Sequence, residues 1–506
     1  MGTVIHAFTA EQVRAAEEPL LARETGFPGS LMERAATALA GRCVRVLRER
    51  RGRLRGAHVV ALVGTGNNGG DALHALALLA RRGVRTTALL ATDGAHEGGL
   101  AALRRAGGHV LPASVADLAS RVWAADLVLD ALTGIGSRDA LRPPAADVVT
   151  SLVASDPRPA AGPPVLAVDV PSGIGVDDGA LPGPVLRADR TVTFGAVKPG
   201  LLLPPAAHLA GRVDLVDIGL SLDPVAAAVR RLEARELAAE WPAPGPRDHK
   251  YTRGVVGVLA GSATYPGAGV LTCHAAALAG AGMVRLDGPA NVASHVLAVR
   301  PEVVTARGRV QAWVVGPGTS DDDVRLEPAL RRASGERVPL VVDAGALPVV
   351  GRSHVRMPAH VVLTPHAGEL AALLGTRGVV VDRAQVEAEP LRWARAAHER
   401  TGATVLLKGA VTVVVGPGGV LTQAEATPWL ATAGAGDVLA GVLGTLLAGR
   451  ADQVPSDPDL PARLAAVAAS VCGLAARAAS GGGPVVAAQV ADHVPRVVAA
   501  LVGRTA

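Results

Sequence analysis

The stretch from His58 to Ala80 constrains the fold more than any other part of the chain. His58–Val63 is a short apolar run, GTGNNGGD (Gly64 to Asp71) closes it, and Ala72–Ala80 has the spacing of a helix, so the glycine-rich loop sits at the carboxyl end of a strand. In an open parallel sheet that end is where ligands bind. Further strand-like runs follow at Val84–Ala91, Asp126–Ala131, Pro164–Val170, Arg190–Phe194 and Arg212–Ile218, with helical or loop segments between them, and residues 10–51 read as helical. This alternation predicts a doubly wound α/β sheet.

Several of these strands end in polar or glycine-rich turns: DALTGIG at Asp130–Gly136, VDVPSG at Val168–Gly173 and TFGAVKPG at Thr193–Gly200. One crevice can collect them all. The Ala-, Arg- and Pro-rich stretch before Pro246 marks a boundary, which divides the chain into a first domain, 1–222, a linker, 223–246, and a second domain, 247–506. After it the alternation resumes: strand Val255–Ala260, helix Ala268–Ala281, then strands Ala312–Val315, Pro339–Asp343, Val361–Thr364 and Thr404–Lys408. The halves share a layout but no motifs.

Composition narrows the function. Hydrophobic residues make up 49% and aromatics only 2%, so the interior is built from Ala, Val and Leu. A formal net charge of +5 over 506 residues argues against nucleic acid as the main partner. The densest basic run, seven arginines from Arg42 to Arg55, has no interleaved aromatics and reads as a solvated helix end and loop. Gly254–Val284 has no Asp, Glu, Lys or Arg, but Ser262, Thr264, Pro266 and several glycines break it, so no membrane span is expected. Cys43, Cys273 and Cys472 lie far apart without metal spacing, and the first twenty residues have no signal-peptide core, so a reducing cytoplasm is the expectation.

In the first half, Asn68, Asp130 and the hydroxyl of Ser172 offer oxygen ligands to a hard cation. Asp71 reads as the cap of the helix that follows it. Asp130 and Asp169 either face the crevice or cap their own loops, and Lys198 either approaches an anionic group or lies on the surface. In the second half, ATAGAGDVLAG (Ala431 to Gly441) places Asp437 among small residues where a helix begins. Free backbone N–H groups and the helix dipole there suit a phosphate, and Asp437 can take a proton from an attacking hydroxyl; a plain helix cap is the other reading. YPGA (Tyr265 to Ala268) opens another helix, GPG (Gly316 to Gly318) ends a strand, TPHAGE (Thr364 to Glu369) puts His366 beside a helix start, and KGAVT (Lys408 to Thr412) is a nucleotide-phosphate contact or a hairpin.

GNNGGD, DAL-x-G-x-G, D-x-PSG, the KPG turn and LMERA (Leu31 to Ala35) together make residues 10–220 resemble the NAD(P)H-hydrate epimerase domain of the YjeF-type repair proteins. HKYTRG (His249 to Gly254), YPGA, TPHAGE, KGA and AGAGD make residues 245–500 resemble the ADP/ATP-dependent NAD(P)H-hydrate dehydratase domain. The resemblance implies a Rossmann-like domain followed by a ribokinase-like one. It implies that Asn67, Asn68, Gly69, Gly70, Asp71, Gly134, Ile135, Gly136, Ser137, Arg138, Asp139, Ala140 and Asp169 bind the hydrate in the first domain, with Asp169 the acid/base. Asn68, Asp130 and Ser172 would hold potassium (K+). In the second domain Ala268, Gly318, His366 and Asp437 would contact the hydrate, with Asp437 the base, while Lys408, Gly409, Ala410, Val411, Thr412 and Gly436 would contact ADP or ATP. Magnesium (Mg2+) is expected with the nucleotide, although no ligand pair for it is evident.

The implied substrates are NADHX and NADPHX, the implied products of dehydration with ADP are NAD(P)H, AMP and phosphate, and the implied assembly is a homo-oligomer. The chain departs from the family at Ala72, Thr133 and Ile135, and at Ala433 and Ala435, where relatives often read GGSGD. A glycine-rich loop of this kind serves phosphoryl transfer generally. A small-molecule kinase of the vitamin or sugar type is therefore the alternative, as is a nucleotide-binding scaffold with an inactive epimerase half.

Overall fold

The computed structural model describes residues 4–503 apart from 93, 114–116, 137–138 and 158–161, with 333–334 described by backbone alone. Its strands are β1 (Ile5–Ala7), β2 (His58–Val63), β3 (Arg85–Leu90), β4 (His109–Pro112), β5 (Leu127–Ala131), β6 (Val165–Val168), β7 (Arg190–Phe194), β8 (Arg212–Val216), β9 (Val229–Arg231), β10 (Val255–Leu259), β11 (Met283–Leu286), β12 (Ala312–Val315), β13 (Leu340–Val342), β14 (Val361–Leu363), β15 (Thr404–Leu407), β16 (Thr412–Gly416) and β17 (Gly419–Gln423). The chain divides into two compact units, His6–Ala228 and Val229–Ala506, the latter with Met1–Ile5.

In the first unit seven parallel strands run in the order β4-β3-β2-β5-β6-β7-β8. Both faces are covered, and strand side chains sort by their alternation. Val59, Ala61 and Val63 of β2 pack with Leu39 and Leu47 of helix Leu31–Arg51 and with Leu73 and Leu76 of helix Asn67–Ala80. Val60 and Leu62 pack on the other face with Val122, Val148 and Leu152. The region read as helical from 10 to 51 is two helices, Ala10–Leu21 and Leu31–Arg51. Gly26, Pro28 and Gly29 interrupt them, and the Ser30 side chain caps the second by accepting from Glu33 N–H at 3.1 Å.

The second unit is built on a sheet in which β9, β17, β16, β15, β14, β13, β12, β10 and β11 follow one another. From β11 through β10 and β12 to β15 the strands are parallel, while β15-β16-β17 is an antiparallel meander. Residues 223–246, expected as a linker, are not one: β9 pairs with β17, and helix Ala234–Glu240 buries Leu237 and Ala238 in the core. The signal was weak because β9 (VRR) carries one apolar residue in three. Helix Ala435–Gly449 is buried from Val438 to Ala448 and packs on helix Pro266–Leu278.

Among the described residues one helix, Leu460–Ser480, is long and apolar enough to cross a membrane, and 67% of its most apolar window is buried inside the fold. The three cysteines are free and buried, Cys43 in the first unit and Cys273 and Cys472 in the second. Burial pushes each thiol up to about 12.

Candidate active sites

In the first sheet the chain leaves β2 toward β3 on one side, and β5 begins the other half. Loops at such a reversal diverge and leave a crevice at the strands' carboxyl ends. The predicted motifs gather there. Helix Asn67–Ala80 starts earlier than expected, at Asn67 with Gly66 as N-cap, so Asp71 lies inside the helix and does not cap it. Asn68 Nδ2 donates to Thr133 O at 3.0 Å and Val168 O at 2.6 Å, binding the ends of β2, β5 and β6 together. Gly134 must be bare, because a Cβ there would stand 2.4 Å from Asn68 Oδ1.

Asp130 is fully buried. Its Oδ2 accepts from Ser172 N–H at 2.8 Å, while its Oδ1 has no hydrogen-bond partner among the described residues. Burial pushes its pKa up, against the opposing pull of Ser172 and the Leu132 amide. Ser172 Oγ accepts from Thr133 N–H at 3.0 Å. One orphaned carboxylate oxygen beside neutral oxygens fits a hard, weakly charged cation. Among the described residues no group of three or more His, Cys, Asp or Glu side chains stands ready for a metal.

Asp169 follows β6 with φ 67, a left-handed backbone unusual for a residue other than glycine. Its Oδ1 accepts from Lys198 Nζ at 2.5 Å, Thr193 Oγ1 at 3.1 Å and Phe194 N–H at 3.1 Å. Lys198 is 1% exposed, so it is no surface lysine, and it also donates to Phe194 O at 2.9 Å. Asp71 is buried beside this pair. Burial, then Asp169 and Glu17, drive its pKa well above the ordinary carboxylate range, and Lys198 opposes them.

Glu17, on helix Ala10–Leu21, belongs to no motif and was invisible in the sequence. Its pKa is raised by burial, with Lys198 pulling down and Asp169 pushing up. Among the other predicted residues, Gly69 and Gly70 are buried, Gly134, Ile135 and Ala140 are half-buried, and Asn67, Gly136 and Asp139 are exposed. Arg14 donates to Ile135 O at 2.6 Å and ties helix Ala10–Leu21 to that loop. Ser137 and Arg138 lie outside the described residues.

The second site sits at the reversal in the other sheet, where β10 has β11 on one side and β12 on the other. Gly318, after β12, has φ +65, and a Cβ there would lie 2.4 Å from the Cβ of Ala268 in helix Pro266–Leu278. The two predicted hydrate contacts are therefore brought together. The ends of β13, β14 and β15, neighbours in the sheet, present Asp343, Thr364 and Lys408. Lys408 Nζ donates to Asp343 Oδ1 at 2.8 Å and stands 3.5 Å from Glu369 Oε2, and Thr364 Oγ1 donates to Asp343 Oδ1 at 2.9 Å. Burial would lower the Lys408 pKa, but the two carboxylates outweigh it and the ammonium holds its proton above the usual lysine value.

Helix Ala435–Gly449 begins beside this cluster. Its N-cap is Gly434, at φ 87, with no side-chain cap, so Asp437 sits in the first turn and does not serve as the helix cap. A Cβ on Gly434 would come within 2.4 Å of Leu271 Cδ1, which places the loop against helix Pro266–Leu278. Burial and the Asp343 carboxylate push Asp437 up to about 7, Lys408 pulls it down and Glu369 pushes up. The arrangement is a carboxylate poised near neutrality at a helix amino end, next to an anchored ammonium.

His366 is exposed and caps helix Ala367–Thr376: its Nδ1 accepts from Glu369 N–H at 3.1 Å, and Glu369 Oε2 accepts from His366 N–H at 2.8 Å. Gly409 and Ala410 are exposed at the tip of the β15–β16 hairpin, Val411 is buried, and Thr412 is half-buried. Asp343 and Glu369 were not singled out, although Asp343 ends a predicted strand just as Asp130 does, and Glu369 closes TPHAGE.

The family model described as NAD(P)H-hydrate dehydratase matches residues 256–495, and the one described as YjeF-related protein N-terminus matches residues 28–200. A bifunctional NAD(P)H-hydrate repair enzyme Nnr of Mycobacterium tuberculosis (strain CDC 1551 / Oshkosh) is 46% identical over 458 residues, covering 88% of this chain and 89% of its own. Its namesake in Mycobacterium leprae (strain TN) is 42% identical over 509 residues, covering 98% of this chain and 100% of its own. Among solved structures, an ADP/ATP-dependent NAD(P)H-hydrate dehydratase from Bacillus subtilis co-crystallized with ATP/Mg2+ is 24% identical with a TM-score of 0.46, covering 53% of this chain and 97% of that one.

Proposed function

Because the chain belongs to the family of bifunctional NAD(P)H-hydrate repair enzymes, we propose that its first unit interconverts the R and S epimers of NADHX and NADPHX. The second unit dehydrates the S epimer back to NAD(P)H with ADP as phosphoryl donor. The observation that carries this reading is the site at the start of helix Ala435–Gly449, where Asp437, held up to about 7, lies beside the anchored Lys408. Asp437 takes the proton of the hydrate's hydroxyl as that oxygen forms a bond to the β-phosphorus of ADP, and the bond to the departing AMP oxygen breaks. The carbon–oxygen bond of the phosphorylated hydrate then breaks, phosphate leaves with the bonding pair, and a proton lost from the adjacent ring carbon restores the double bond. Lys408 and the hairpin from Gly409 to Thr412 bind the nucleotide, Gly436 offers its N–H to the phosphoryl oxygens, and Ala268, Gly318 and His366 border the hydrate. Magnesium would accompany the nucleotide and offset its charge.

In the first unit Asp169 is the acid/base, with Lys198 fixing it, and the segments Asn67–Asp71 and 134–140 bind the hydrate. Asn68, Asp130 and Ser172 would hold potassium, and the orphaned Asp130 Oδ1 supports this. A bound potassium ion would supply fixed positive charge beside the substrate. The enzyme would work as a homo-oligomer in the cytoplasm, where three unpaired buried thiols persist. The test incubates purified protein with hydrated NADH and ADP or ATP and follows the return of reduced-nicotinamide absorbance. Recovery of both epimers is expected. A small-molecule kinase gives no recovery, and a scaffold gives ligand-induced stabilisation without turnover.

A further inference from the structure

Asp343 has no role in the reaction sequence just described, yet Lys408, Thr364 and the start of helix Ala435–Gly449 all meet it. It is 2% exposed. One of its oxygens, Oδ1, accepts both the Lys408 ammonium at 2.8 Å and the Thr364 hydroxyl at 2.9 Å. The other, Oδ2, faces the helix start: a Cβ on Gly436 would lie 3.7 Å from it and 3.3 Å from Lys408 Nζ. Thr364 also donates to Val342 O at 3.2 Å, so the carboxylate is held by the ends of its own and the two following parallel strands.

We propose that Asp343 is a positioning residue of the dehydratase site, which clamps the Lys408 ammonium, with Glu369 as second jaw, against the first turn of helix Ala435–Gly449 where the transferred phosphoryl must lie. The inference rests on the reading of Asp437 as the base. Without Asp343 a lysine side chain with four rotatable bonds would spread its ammonium over the crevice and share it between Glu369 and Asp437. With the clamp, the lysine charge is already compensated, and Asp437 stays basic enough to accept a proton near neutral pH.

The charged groups that act on Asp437 are Asp343, Lys408 and Glu369. On the helices packed along its own, His274 of helix Pro266–Leu278 is bonded to Asp492 of helix Ala487–Val502 and to Arg300, Arg463 of helix Leu460–Ser480 pairs with Glu240 and Asp457, His493 Nδ1 lies 2.9 Å from Gln489 O, and Arg477 and Arg496 are exposed. Strands β10 and β12 carry no charged side chain.

The experiment uses the full chain. Carboxyl titration is followed by isotope-edited infrared spectroscopy, the Asp437 band being the one lost in Asp437→Ala, and the pH–rate profile of the dehydratase is recorded alongside. Asp343→Asn keeps an oxygen acceptor but removes the charge, so the Asp437 midpoint and the acid limb of the rate should both move down by about one pH unit. A midpoint unmoved or raised in Asp343→Asn, in protein whose Cys273 and Cys472 stay as protected from a thiol reagent as in the wild type, overturns the proposal. If Asp343→Asn does not fold, Thr364→Val decides, because it removes the hydroxyl that fixes Asp343 Oδ1 and leaves every charge in place: a downward shift supports the clamp, and an upward or absent shift overturns it. The infrared titration needs no substrate, so a wild-type protein that titrates as expected but returns no NADH would fail the function and not the clamp.

Discussion

Asp437 carries two consequences that share one cause. Its folded-state pKa, about 7, exceeds the roughly 3.9 of an unfolded aspartate, so the fold binds its proton more tightly than the unfolded chain does. The stability lost by ionising it is absent below the unfolded value and complete above the folded one. Asp437→Asn should therefore melt higher than wild type at pH 8, with the gap closing as the pH falls toward 4, while NADH recovery is lost and epimer exchange persists. Thermal melts at a series of pH values check the first, and a variant no more stable at pH 8 would contradict it.

At Asp169 stability and chemistry can be separated. Lys198 and Asp169 are both buried, so Asp169→Asn removes the carboxylate that the Lys198 ammonium bonds and should cost about 3–5 kcal/mol as well as exchange activity. The double variant Asp169→Asn/Lys198→Met removes both charges and should regain most of the melting temperature but none of the exchange. Recovery of exchange in the double variant would remove Asp169 from the mechanism.

Among the elements, helix Ala435–Gly449 shows how glycine serves packing as well as phosphate. A Cβ at Gly441 would meet the Thr272 carbonyl oxygen at 2.4 Å. Gly441→Ala gains about 1 kcal/mol of helix propensity, but the backbone of helix Pro266–Leu278 must shift to admit it, and overpacking of about 1–3 kcal/mol wins. Gly41, inside helix Leu31–Arg51, has nothing within 4 Å of a built Cβ, and Gly41→Ala should stabilise by about 0.5–1 kcal/mol. Opposite shifts in melting temperature check the pair.

The sequence was legible where a strand runs into a glycine-rich turn, because the apolar run, the turn and the helix each leave their own pattern; β2, β5, β10 and β12 were found this way. It was opaque where an element owes its existence to a partner: β9 is a strand because β17 lies beside it, and although KGAVT offered a hairpin, the strand β17 that extends it lay beyond any motif. The sites divide likewise. Asn68, Asp130, Lys408 and Asp437 were readable from motifs. Glu17 and the burial of Lys198 emerge only when distant helices and loops close over them, a fact that no local pattern encodes.

Across the whole molecule, each set of motifs lies within one compact unit, at the reversal of that unit's own sheet. The two separate sites proposed above predict complementation. On a mixture of epimers, Asp169→Asn/Lys198→Met should restore only the fraction present as S at the enzymatic rate, and Asp437→Asn should restore none. Mixed together, the two variants should restore all of it, because the freed epimer diffuses from one protein to the other. Failure of the mixture, with both proteins folded, would show that the substrate must be handed over within one chain.

The buried thiols give each unit its own clock. Cys43 reports on the first unit, and Cys273 and Cys472 on the second; sealed from solvent and held almost wholly as neutral thiols, they cannot react with a disulfide reagent until the surrounding structure opens. The rate at which each is labelled therefore measures how often its own unit breathes, and a bound nucleotide should slow the clock of the second unit while leaving that of the first running.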